Sequence, residues 1–219
     1  ERMHNTVLVE GGHYPSIESS WGYHWIAKPL SMQMKKEGDL YHFEAQWSIP
    51  MKDNETSSRA YISRKMILDT QAKLLLVIDE EESGHALAQN FIIPTKHSND
   101  VYSRFWTNGE MVTEAIQYSK RYNSLDEGIQ LNIRNKKGPI FTYIASEPYS
   151  VEKESIPRLD CPGDERGTKI KCKTGSGELT IYYSPEDIHN GLKYLKDSNG
   201  NIVYGRMVVE KNNQFIRFR

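Results

Sequence analysis

The sequence contains no apolar run long enough to cross a bilayer as a helix, which takes roughly 20 residues; its longest, Leu74 to Ile78, lies inside a strand-like segment. Charge of one sign is also lacking, with a formal net charge of -1 and a pI near 6.8. That excludes the basic footprint on which nucleic-acid binding and adhesion to anionic membranes rest, so neither partner is expected and any polyanion contact must be local. Helical periodicity is nearly absent: Ser184 followed by Pro185-Glu186-Asp187-Ile188-His189 reads as a short capped turn at most. Cysteine is scarce. Cys161 and Cys172 flank a turn-rich segment with Pro162, Gly163, Asp164 and Gly167. Two readings stay open there, a disulfide closing a short loop in an exported protein or two free thiols in a reducing compartment.

What is present is alternation. Tyr41, Phe43, Ala45, Trp47 and Ile49 are apolar, with His42, Glu44, Gln46 and Ser48 between them, which predicts a half-buried strand. The same period of two recurs in Leu87-Gln89-Phe91-Ile93, in Val112-Glu114-Ile116-Tyr118 and in Ile129-Leu131-Ile133. Turn signals separate such segments: Asp53-Asn54, Ser83-Gly84, Asn108-Gly109, Lys137-Gly138, Gly175 to Gly177, Asn199-Gly200 and Asn212-Asn213. Asn199-Gly200, between Leu192–Lys196 and Ile202–Val209, is the strongest hairpin signal and predicts a type I′ turn, while a final hairpin runs through Asn212 to Phe218.

About 14 strands with few or no helices, joined without crossover helices, imply antiparallel pairing. The expected fold is all-β, a large antiparallel two-sheet sandwich of supersandwich type, formed as one domain over residues 1–219; a subdivision, if any, falls near residues 150–157. Composition agrees that the chain folds: hydrophobic residues make up 37% and charged residues 26%, which excludes a disordered chain. The chain opens on Glu1-Arg2-Met3-His4 and runs at once into apolar alternation, without start methionine or signal peptide. It is expected to begin in mid-structure, with any targeting sequence upstream.

His4-Asn5-Thr6-Val7-Leu8-Val9 followed by Gly11 resembles a stretch of the heparinase II/III-like polysaccharide lyases. Further on, Ser63-Arg64-Lys65-Met66 leads into Lys73-Leu74-Leu75-Leu76-Val77-Ile78-Asp79-Glu80, then Ser83-Gly84-His85 and Phe91, similar to the family's arginine strand, Val-Asp strand and Gly-His turn. Tyr118-Ser119-Lys120-Arg121-Tyr122-Asn123 resembles its Ser-x-x-Tyr element. These elements cover about residues 4–145 in the family's order; residues 150–219 match only as generic sandwich strands.

The resemblance implies a β-sandwich that follows an N-terminal helical toroid domain of the same protein, with the active site between them. It also implies cleavage of uronic-acid-containing polysaccharides by β-elimination, in a secreted or periplasmic protein. That chemistry needs a group to neutralise the uronate, a base for the C5 proton and an acid for the leaving oxygen. In the family the neutralising side chain and the tyrosine acid/base lie on the toroid, and their histidine partner precedes the HNT stretch. None of those positions occurs in this chain, so no catalytic residue is assigned to it.

His4 matches the family's HNT histidine, which in some members is a metal ligand beside an upstream histidine and aspartate. The resemblance thus implies a divalent metal, zinc or calcium, in the intact enzyme; from the residues alone, a histidine before a strand more often makes a structural hydrogen bond. The loop after this strand, His13 to Trp25, is aromatic-rich, and Trp21, Tyr23, His24 and Trp25 are the candidate sugar-binding residues for an acidic polysaccharide. The plainer reading is a loop whose rings cap the sandwich. His85 reads as a structural turn residue, Arg64 as the partner of Asp79 or Glu80 across neighbouring strands, and Glu80-Glu81-Glu82 as a solvated turn. Two other functions fit the same pattern: a stand-alone carbohydrate-binding or structural sandwich module, and a surface attachment sandwich that shares only architecture.

Overall fold

Alternating side chains commit a strand to one buried and one wet face, and strands of this kind make up every regular element among the described residues. A computed structural model describes residues 7–12, 28–51, 58–94, 104–121, 124–156, 167–184, 196–201, 203 and 206–217. Two compact units divide the chain, the first spanning residues 1–67 and 75–144, the second residues 68–74 and 145–219. The expected all-β sandwich class is what the chain adopts.

The first unit holds two sheets. One has four strands in the order β1 (Val7–Val9), β6 (Leu87–Pro94), β9 (Ser124–Asn135) and β8 (Glu110–Arg121), each antiparallel to its neighbour. The other has six, in the order β2 (Lys28–Glu37), β3 (Leu40–Pro50), β4 (Arg59–Asp69), β5 (Leu74–Glu81), β10 (Ile140–Ala145) and β7 (Phe105–Thr107). Val7, Val9, Leu87 and Ile133 of the first sheet meet Ile49, Ala60, Ile62 and Ile140 of the second in one apolar cluster. Burying a side chain such as Ile133, which has no exposed surface, contributes roughly 1.5–3 kcal/mol. Six of the eight residues of β5 are buried in succession, Leu76 to Glu81, as suits an interior strand covered on both faces.

The strand over residues 40–50 forms, but its faces are used differently from the expectation. Glu44 and Ser48 are buried, whereas Tyr41, Phe43, Ala45 and Trp47 are only half-buried. The cause is polar satisfaction from the strands on either side. Arg59 donates to Ser48 Oγ and to the Ser48 carbonyl, each at 2.8 Å, and Gln33 donates to Glu44 at 2.7 Å. The acidic run that ends β5 also departs from a solvated turn: Glu80 and Glu81 are buried strand residues and of the three only Glu82 is exposed. Glu80 pairs with Lys65 at 3.7 Å.

The second unit is a five-stranded antiparallel sheet in sequential order: β11 (Tyr149–Ile156), β12 (Gly167–Thr174), β13 (Glu178–Tyr183), β14 (Met207–Lys211) and β15 (Gln214–Arg217). The two-residue turn between the last two strands has positive φ at both positions, +50° at Asn212 and +62° at Asn213, the type I′ requirement. The expected type I′ turn at Asn199-Gly200 is corrected: of that pair only Gly200 has positive φ. Gly200 N–H donates to Asp197 O at 3.0 Å and Asp197 N–H to Asn201 O at 2.9 Å. This is a type I turn closed by a left-handed glycine, one residue longer than the expected loop. Cys172 is a free, fully buried thiol, and burial pushes it up to about 12; Cys161 lies outside the described residues, as do Asp53-Asn54 and Pro185 to His189.

Glu147 lies just before β11. Its carboxylate accepts from Lys73 Nζ at 2.8 Å and from the Ser176 amide at 2.9 Å, and the lysine bond above all holds its pKa near 2. A carboxyl group depressed on folding adds stability above its unfolded value and loses it as pH falls through the folded one. The Glu147 contribution is therefore complete above about pH 4.5 and disappears on the way to about pH 2. Glu147→Gln is expected to flatten the acid limb of the stability curve in that window and to lower stability by the same amount at every pH above it, measured by urea unfolding at a series of pH values.

Candidate functional site

Three turns at the end of the four-stranded sheet form a cavity of about 690 Å³ lined by Glu10, Gly11, Met51, Gly84, His85, Ala86 and Lys136. Each turn is set by strand pairing. Val9 of β1 lies opposite Leu87 of β6, and the pairing continues as Glu10 N–H donates to Ala86 O at 2.9 Å. Leu87 in turn lies opposite Asn135 of β9, which brings the next residue, Lys136, to the same rim.

The Glu10–Gly12 turn is pinned on two sides. Gly12 N–H donates to Val9 O at 3.1 Å, and Gly12 bridges to Met51. Gly11 has φ +76°, a conformation that calls for glycine, and a Cβ there would stand 3.3 Å from Met51 Cε, which would have to shift slightly.

The Ser83–Ala86 turn is built from a buried carboxylate. Glu81 accepts the Ser83 N–H at 2.9 Å and the His85 N–H at 2.7 Å through its two oxygens. Those charge-assisted bonds satisfy backbone donors that have no sheet partner and fix the turn at Gly84, φ +84°. The imidazole of His85 is left exposed at the rim, beside the exposed Glu10 and Lys136. The cavity therefore offers two basic side chains and one carboxylate over a backbone floor, suited to holding a polar, hydroxyl-rich or anionic group.

No family model matches the chain. No curated protein matches it either. Among solved structures, a heparinase III with methylated lysines is similar, at 13% identity and a TM-score of 0.49. The similarity covers 84% of this chain and 30% of that one, so the chain spans less than a third of the heparinase III chain. A likeness at this level assigns no activity.

The expected metal ligand His4 and the expected sugar-binding residues Trp21, Tyr23, His24 and Trp25 all lie outside the described residues. The described residues contain no group of three or more His, Cys, Asp or Glu side chains that could hold a metal. They contain no helix long and apolar enough to cross a membrane. Arg64 does pair with Asp79, in a bidentate bridge at 2.7 and 2.8 Å, as structural residues of neighbouring strands. His85, expected to be structural, anchors the turn through its amide, and it also lines the cavity. Glu10, Met51 and Lys136 carried no sequence signal of their own. The turn signals Ser83-Gly84 and Lys137-Gly138 did mark two of the three turns, but not that they meet.

Proposed function

We propose that the chain is the β-sandwich part of a polysaccharide lyase that acts on uronic-acid-containing polysaccharides by β-elimination, and that its own share is to hold the sugar chain. The observation that carries this reading is spatial. The stretch ending at Gly11 and the turn Gly84-His85, two of the segments that resemble the heparinase II/III-like lyases, flank one cavity although they are far apart in sequence. Lys136 and His85 would meet a uronate carboxylate, and Glu10 would accept from sugar hydroxyls. Trp21, Tyr23, His24 and Trp25, which follow the Glu10–Gly12 turn in the sequence, are the candidates for stacking on sugar rings. The residues that perform elimination belong, in this reading, to a helical toroid of the same protein. His4 would bind a divalent metal only together with ligands from that toroid side. Such a protein would be secreted or periplasmic.

Affinity electrophoresis in gels cast with an acidic or a neutral polysaccharide tests the proposal, alongside absorbance of unsaturated uronate. An acidic, uronate-containing polymer is expected to retard the chain, with no absorbance change. Lys136→Ala is expected to weaken retardation by about twofold to fivefold, the range of one exposed ion pair. Equal retardation by neutral polymers would favour a stand-alone binding module. Turnover by this chain alone would show that the elimination residues lie within it and overturn the proposal.

A further inference from the structure

The second unit contains a buried pair that the proposed function does not use. Lys211 follows Val209 by two residues on β14, so it leaves the sheet on the same face as Val209 and, across the register, Ile181. Ile181 lies opposite Ile170, two residues from Cys172, and all of these side chains are buried. A lysine on such a face is out of place unless something answers its charge. Lys211 is 8% exposed, and its Nζ contacts Oδ2 of Asp69, which is fully buried.

The contact lacks what a buried ion pair ordinarily has. Neither Lys211 Nζ nor Asp69 Oδ2 has a hydrogen-bond partner among the described residues, although the two atoms touch. An ammonium has three protons to place, and leaving them unplaced in an apolar interior is costly.

The carboxyl group is held for an attack of another kind. Asp69 Oδ1 accepts the Ala72 N–H at 2.9 Å. Ala72 is itself fixed: Thr174 Oγ1 donates to its carbonyl at 2.8 Å, and Gly177 packs so close that an added Cβ would lie 3.0 Å from Ala72 Cβ. One carboxyl oxygen thus sits on a rigid donor and the other faces the amine.

We propose that Lys211 and Asp69 condense into an isopeptide cross-link. One proton passes from the ammonium to Oδ2, leaving an uncharged amine and a carboxyl group. The nitrogen lone pair attacks Cγ and forms the N–C bond, and the charge that grows on Oδ1 is met by the Ala72 N–H. The Cγ–Oδ2 bond then breaks, and a second nitrogen proton leaves with the oxygen as water. No electron is gained or lost, and no further reactant is needed. The product replaces two buried charges by a neutral amide and keeps the Ala72 bond. It also ties residues 68–74 covalently to β14.

Mass spectrometry of the complete, reduced and denatured chain tests this. The mass is expected to fall one water, about 18 Da, below that of the sequence, and a protease digest is expected to contain a branched peptide joining Asp69 to Lys211. Lys211→Arg is expected to restore the full mass. A wild-type chain at full sequence mass overturns the proposal, as does a water loss that yields no branched peptide. Because the branched peptide is sought in the wild-type chain, the test stands even where the variant fails to fold.

Discussion

Replacing Asp79 with alanine is expected to lower the unfolding free energy by about 3–5 kcal/mol, the cost of breaking a buried charged pair from one side. Asp79 is fully buried and accepts three hydrogen bonds, two from Arg64 at 2.7 and 2.8 Å and one from Gln89 at 2.5 Å. Gln89 passes the network on, accepting from Thr142 Oγ1 at 2.5 Å. Without the carboxylate, a guanidinium only 14% exposed loses its bidentate partner, and the Gln89 amide loses its acceptor. The double replacement Arg64→Met with Asp79→Leu is expected to recover most of the loss, because both charges leave together. Urea unfolding of the four chains measures this directly. A single-variant loss below about 1 kcal/mol would place the pair in the range of exposed bridges and mean that water reaches it.

Glu81→Ala is expected to cost roughly 3–6 kcal/mol, since each hydrogen bond to a charged group is worth about 1.5–3 and two are lost at once. The Ser83 and His85 amides would be left to find water, and the turn they define would lose its shape. Retardation by acidic polysaccharide is therefore expected to vanish in a variant that still unfolds cooperatively. Glu82→Ala supplies the comparison. Glu82 is adjacent and of the same charge but exposed, and its removal is expected to stay within about 0.5 kcal/mol and leave retardation intact. Equal effects at both positions would mean that net charge, rather than the turn, governs binding.

Much of the architecture could be read from period-two alternation, and the places where that reading slipped share a cause. Leu87 and Leu131 announce themselves because their strands present an apolar face to a core. The strand over residues 40–50 announces the wrong face, because Arg59 and Gln33 arrive from its two neighbours and make burial of Ser48 and Glu44 affordable in hydrogen bonds. Asn199-Gly200 suggested a two-residue loop, yet a dipeptide does not set loop length; the register of the flanking chain does, and Asp197 to Asn201 closes one residue wider. Arg64 and Asp79 were legible because they flank one hairpin turn at a spacing that aligns neighbouring strands. The cavity was not, because Glu10, His85 and Lys136 meet only through the pairing of β1 with β6 and of β6 with β9.

The division of labour around Glu81 bears on how such a rim could change over generations. The side chain that shapes the turn is inside, while those that would greet a ligand, Glu10, His85 and Lys136, stand in water. Exposed side chains are replaced at little energetic expense, so the rim could be rewritten one residue at a time on an unaltered frame. Selectivity for one polymer over another would then drift freely, while the buried glutamate stayed put.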